Sequence, residues 1–164
     1  MPFTPFHFGP GVAFHAASPK RVSFLAFCAT NVFVDFEPLY YMVTDQFPLH
    51  RFFHTYIGVS IVVVFTIAFY VRIRKYSFIP DLLSWRTLSL GQVITGAALG
   101  GYTHIMLDSI MHSDLRPFAP FCDSNSLLNV VSLDSLHWSC VVVGIFGVIV
   151  LAARKMLHPE SKIK

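Results

Sequence analysis

Four long apolar runs set the terms on which this chain can fold. They cover residues 22–43, 52–71, 87–111 and 136–153, the second containing the β-branched stretch Ile61-Val62-Val63-Val64. Each is about the ~20 residues with which a helix crosses ~30 Å of hydrocarbon. A chain of 164 residues has too little interior to hide so much apolar surface from water, so lipid becomes the alternative solvent. Composition agrees: 54% of residues are apolar and 13% charged, against about 25% charged in a soluble domain. Lipid offers no partner to exposed backbone groups, so the spans are expected to be helices. A closed barrel would alternate polar residues, and these runs are continuous. The predicted fold is all-α: an integral membrane bundle of four transmembrane helices in one domain, 1–164. A short N-terminal half-helix or re-entrant segment at 9–17 precedes it, too short to cross and ended by Ser18-Pro19. Gly9, Pro10 and Gly11 are expected to break it, leaving His7 on irregular backbone. Residues 113–134 read as an ordered loop over the bundle, and no internal repeat is visible.

Charge gives the orientation. Lys20, Arg21, Arg72, Arg74, Lys75, Arg86, Arg154, Lys155, Lys162 and Lys164 fall on one side if the spans alternate; Arg51 and Arg116 fall on the other. The positive-inside rule places the ten, and the C-terminus, in the cytoplasm. The first residues lack a basic segment before an apolar run, so targeting is expected from the helices themselves. Trp85, Tyr76 and Trp138 sit near span ends, as interfacial anchors do. Cys28, Cys122 and Cys140 share no close spacing, which argues against a thiolate zinc site and reads as small core residues. No phosphate-cradling glycine loop or nucleic-acid motif is present.

The acids and histidines gather at the opposite end. His104, Asp108 and His112 are spaced i, i+4, i+8 and share one helical stripe. His50 and His54, four apart, are expected on one face at the start of the second span. Asp35 is set in an apolar stretch of the first. A hairpin turning at Ser18 to Arg21 brings His7 to the depth of Asp35. Ionisable groups inside a membrane helix are costly and usually functional. Histidine and carboxylate can pair with each other or share a cation. Histidine nitrogen with carboxylate oxygen is a zinc donor set, and a larger cluster suits two metals and phosphoester chemistry. His15, His137 and His158 read as isolated interfacial residues.

These residues resemble a known set. His7, Val34-Asp35-Phe36-Glu37-Pro38, His50-Arg51-Phe52-Phe53-His54-Thr55, Thr103-His104-Ile105-Met106-Leu107-Asp108 and Arg116-Pro117-Phe118 are similar to motifs of the bacterial LexA-regulated inner-membrane family of metal-dependent hydrolases. Val34 stands where that family often has proline, Glu37 where it has aspartate, and its histidine pair is five apart rather than four. The resemblance implies a membrane-bound hydrolase in the bacterial inner membrane, without a substrate.

The expected ligands of one or two divalent cations, zinc first, are His7, Asp35, His50, His54, His104, Asp108 and His112. Asp108 or Glu37 would act as general base. Arg51 and Arg116 would hold a phosphate or carboxylate of a small-molecule or lipid substrate, with a lipid-linked phosphoester suggested by location. Two other readings stand beside this one: a non-enzymatic metal-binding or transport protein, and a b-type haem protein using His54 and His104.

Overall fold

The computed structural model describes residues 5–76, 78, 80–81 and 84–157. His158, Glu160, Lys162 and Lys164 lie outside them. Five helices form: α1 (Phe8–Ala17), α2 (Phe24–Val43), α3 (Tyr56–Ile73), α4 (Leu90–Met111) and α5 (Leu133–Leu157), with no strand among the described residues. Local chemistry sets their starts. Ser23 caps α2 by accepting from the Ala26 N–H (3.1 Å), Thr55 caps α3 through Gly58 (2.9 Å), and Ser89 and Gln92 form a capping box on α4.

Two boundaries differ from expectation. Gly9, Pro10 and Gly11 do not break α1 but lie in and just after its first turn, where proline has no N–H to lose from the helical ladder. His7 therefore sits in a 3₁₀ turn, Pro5–His7, that runs directly into α1. The third helix begins at Tyr56 rather than 52, so His50 and His54 share no helical face. His54 closes a second 3₁₀ turn, Phe52–His54, and His50 lies in the loop before it.

Helix α4 packs against both α2 and α3. It runs parallel to α2, with Ser23 N–H donating to the Gln92 carbonyl (3.0 Å) and Asn31 reaching the Gly100 carbonyl (3.3 Å). A Cβ on Gly96 or Gly100 would collide with the α2 backbone at Ser23 or Phe27, so these two glycines, four apart, permit the close approach. Helix α3 runs antiparallel, and its Val59 and Val62 pack with Val34 and Ile105. Helix α1 runs parallel to α5, from Gly9 against Cys140 to Ala17, whose carbonyl accepts from Arg154 (3.3 Å).

These contacts define two ends. At one, Gln92 donates to the Pro19 carbonyl (3.0 Å) and the Tyr70 hydroxyl to the Leu88 carbonyl (2.6 Å). Lys20, Arg21, Arg72, Arg74, Lys75, Arg86, Arg154 and Lys155 adjoin that end. At the other end lie His7, Asp35, His54, His104 and Asp108. Residues 112–132 fold back there, with Asn125 donating to the Ser109 carbonyl (2.8 Å) and the Asn129 N–H to Ile110 (3.1 Å).

Two helices, α3 and α5, are long and apolar enough to cross a membrane. Their outer faces are apolar and open: Val64 is 65% exposed and Phe146 63%. Two sequence expectations need correction. Trp85 is buried against Tyr70 instead of anchoring an interface, with its indole N–H on the Pro80 carbonyl (3.1 Å). Of the cysteines, all free, Cys140 alone is buried; Cys122 is exposed because it lies in the long loop.

Candidate metal centre

The site is assembled from four directions. Helix α2 delivers Asp35, α4 delivers His104 and Asp108, the 3₁₀ turn before α3 delivers His54, and the turn before α1 delivers His7. All five are buried, and His54 is 0% exposed. One ligand atom from each of Asp35, His54, His104 and Asp108 can be chosen so that all lie within 4.8 Å of one another. His104 Nε2 is 3.3 Å from Asp35 Oδ1 and 3.1 Å from Asp108 Oδ2, and His54 Nε2 is 3.7 Å from Asp108 Oδ2. The edges of a tetrahedron around zinc at ~2.0–2.2 Å measure ~3.3–3.6 Å. The three separations bracket that range.

The imidazoles are oriented from behind. Asn31 Nδ2 donates to the carbonyls of Phe27 (2.8 Å) and Gly100 (3.3 Å), which turns its Oδ1 toward His104. His104 Nδ1–H donates to that oxygen (2.9 Å). The remaining nitrogen, Nε2, then carries a lone pair and faces two carboxylates. His54 repeats the arrangement: its Nδ1–H donates to Glu37 Oε2 (3.1 Å), and Nε2 faces Asp108. Among the described residues, His54 Nε2, His104 Nε2, His7 Nε2 and Asp108 Oδ1 are buried polar atoms without a hydrogen-bond partner. Lone pairs aimed at carboxylates repel unless a metal cation or a proton lies between them. The residues therefore fit a divalent ion, whose two positive charges balance Asp35 and Asp108.

The other residues singled out in the sequence fall into place around this group. His7 stands edge-on to His104, with Nδ1 3.2 Å from His104 Nδ1 and Nε2 3.3 Å from Asp108 Oδ1. It abuts the tetrad without belonging to it. Glu37 is committed: Oε2 accepts from His54 and from the Arg51 N–H (3.2 Å), and Oε1 from the Phe53 N–H (3.1 Å). With both oxygens engaged it orients His54 rather than facing open space. His50 and His112 form a neighbouring group with Asp108; His112, the C-cap of α4, still faces Asp108 one turn away, with Nε2 3.9 Å from its Oδ1. Arg51 lies over the Tyr41 ring (3.7 Å), and Arg116 pairs with Asp123 (3.2 Å). Both line a groove that also contains His50 and Asp114. His15 bonds the Val22 carbonyl (2.7 Å) and His137 stacks on Phe6, away from the cluster. The haem reading would need His54 Nε2 and His104 Nε2 free of the carboxylates that stand 3.1 to 3.7 Å from them.

Two participants escaped the sequence reading. Asn31 precedes Asp35 by four residues, so its helical spacing could have flagged it. Asp114 could not be found by periodicity, because it lies in a loop. Its Oδ1 accepts from His50 Nδ1 (2.9 Å), and its Oδ2 from the N–H groups of Leu49 (3.0 Å) and His50 (3.2 Å). Burial opposes its ionisation, but these hydrogen bonds outweigh burial and hold the carboxyl below its ordinary range. At His112 burial dominates and lowers proton affinity, although Asp108 pulls the other way. The imidazole is thereby biased toward the neutral form that binds metals.

No protein-family model matches the chain, and no curated protein or solved structure matches it either. The assignment of function therefore rests on the geometry of this cluster.

Proposed function

We propose that the protein is a membrane-embedded, metal-dependent hydrolase, holding zinc between Asp35, His54, His104 and Asp108. The observation that carries this reading is the pair of histidine lone pairs, fixed by Asn31 and Glu37, that converge on two carboxylates in a buried space. A bound divalent ion supplies Lewis acidity and lowers the pKa of a coordinated water toward ~7. The chain's own residues do the rest. Asn31 and Glu37 fix the tautomers of His104 and His54. Asp108 Oδ1, facing away from the tetrad, is the carboxylate oxygen placed to take a proton, and Glu37 serves as a positioning residue.

The bundle crosses the bacterial inner membrane four times, with the basic end and the C-terminus in the cytoplasm. Helices α2 and α4, with 20 and 22 residues, are ~30 Å long and complete the set begun by α3 and α5. Their ionisable groups face inward, while Phe36, Tyr40, Ile94 and Met106 face out. This agrees with the resemblance to the LexA-regulated inner-membrane hydrolases.

The substrate is a lipid or lipid-linked phosphoester reached from the outer leaflet. An apolar groove of about 520 Å³ between α2 and α3, lined by Phe33, Phe36, Tyr40, Phe53 and Phe65, ends at Glu37 beside the cluster. Arg51, stacked on Tyr41 at its rim, and Arg116 are placed for a phosphate. Elemental analysis of detergent-purified protein tests the reading. Wild type should carry zinc, and Asp35→Asn and His104→Gln should lose it. Equal metal content in all three would overturn the assignment.

A further inference from the structure

The inner tetrad uses one face of Asp108. Oδ2 points to His54 and His104, while Oδ1 points the other way, buried and without a hydrogen bond, with His7 Nε2 3.3 Å to one side of it. On that side His112 Nε2 approaches Oδ1 at 3.9 Å. His50 packs against His112, with ring centroids 4.2 Å apart and planes at 31°. One ligand atom from each of His50, Asp108 and His112 can be chosen so that all three lie within 4.8 Å of one another.

His50 is prepared as His54 is. Its Nδ1–H donates to the Asp114 carboxylate (2.9 Å), which also holds the backbone of Leu49 and His50, and this leaves Nε2 with the lone pair. A carboxylate behind an imidazole is the usual device for orienting a metal-binding histidine. The two groups differ in access. The inner four residues are buried throughout, whereas the His112 side chain is 24% exposed. A cavity of about 290 Å³ opens against His50 and His112, lined also by Pro38, Phe47, Leu49 and Ser113.

We infer that a second divalent cation binds between His50, His112 and Asp108, that the Asp108 carboxylate bridges it to the inner ion, and that this outer position is the one that meets substrate. The inference rests on the metal reading above and deepens it. Four protein ligands leave the inner ion room for a water only as a fifth ligand. Three at the outer site leave a position free toward the cavity, the pattern that separates catalytic from structural zinc sites. A shared carboxylate suits two ions ~3.5–4 Å apart, a spacing that stabilises both the attacking and the leaving oxygen of a phosphoester. The substrate class that follows is a phosphoester whose phosphate enters from the His50–His112 side, within reach of Arg51 and Arg116. Asp108, as the bridge, is engaged on both sides when both ions are bound, so its Oδ1 is free to take a proton only in the one-ion form.

The test uses the full chain in detergent with Zn²⁺ alone as the probe. Wild type should bind two zinc ions per chain. His112→Gln, at the most open of the three ligand positions, should bind one, and His50→Gln should do the same. With Mn²⁺ in place of zinc, electron paramagnetic resonance should show an exchange-coupled pair in wild type and an isolated ion in His112→Gln. One zinc in wild type, retained in His112→Gln and lost in Asp35→Asn, would overturn the second site and leave the first intact. Two ions retained in both histidine variants would also overturn it. A wild-type chain without bound zinc would remove both readings.

Discussion

His54 is held between two carboxylates, with Nδ1 3.1 Å from Glu37 Oε2 and Nε2 3.7 Å from Asp108 Oδ2. The first contact fixes the proton on Nδ1 and the second shows where the lone pair is aimed. Glu37→Gln keeps the size of the side chain but removes the charge, and it presents an amide N–H₂ to donors that expect an acceptor. Zinc affinity should fall about 10- to 100-fold, the usual consequence of losing such a partner. Competition with a chromophoric chelator measures it. Unchanged affinity would mean that Glu37 does not orient the ligand.

Asn31 has the same duty toward His104 but is neutral, so its loss is read in stability as well. Asn31→Leu removes the oxygen that accepts from the His104 Nδ1–H and leaves it only the longer contact with His7 Nδ1 (3.2 Å). A buried donor that loses its acceptor costs about 1–3 kcal/mol, and the thermal transition in detergent should move down accordingly. Zinc affinity should fall too, since the ring is free to rotate. A variant as stable and as metal-competent as wild type would refute the tautomer assignment.

The helical framework was legible because it is dictated by continuous apolar runs and by periodicity. Spacing of four placed His104 and Asp108 on one stripe, and a hairpin at Ser18 to Arg21 brought His7 toward Asp35. Loop geometry obeys no such period. His50 and His54 do converge, with ring centroids 4.7 Å apart, but through the loop at Arg51 and a 3₁₀ turn pinned by Glu37, and not through a shared helical face. Asp114 was invisible for the same reason: its value lies in reaching His50 across 64 positions of sequence. The break expected at Gly9 to Gly11 failed because proline and glycine are read as interruptions only when they fall past the first turn of a helix.

Those small residues have a packing role instead. A Cβ on Gly9 would collide with the Cys140 carbonyl, and Gly144 on α5 faces Gly9 in turn. Gly9→Val should push α1 off α5 at a cost of about 1–3 kcal/mol, since backbone cannot yield as a side chain can. His7, two residues earlier, would lose its contact with Asp108. The variant should therefore show a lower thermal transition and weakened zinc binding, matching His7→Gln in the second effect alone. Gly9→Val with wild-type stability would show that the α1–α5 contact is not tight.

Binding of metal is also a proton exchange. In the metal-free chain only a proton is available to sit between the His104 lone pair and the carboxylates of Asp35 and Asp108, which approach it at 3.3 and 3.1 Å. A metal ligand must be deprotonated, so zinc has to displace that proton. Zinc entering the inner site should release protons, and affinity should rise with pH. Calorimetric titration in buffers of different ionisation enthalpy counts the protons directly. Asp35→Asn weakens the hold on the proton and on the metal together, so its residual binding should release fewer. Removing the metal should also lower stability: at free zinc 100-fold above Kd the ligand contributes about 2.7 kcal/mol, which chelation withdraws as a downward shift of the thermal transition. A pH-independent affinity with no proton release would mean that zinc, where it binds, does so away from His104.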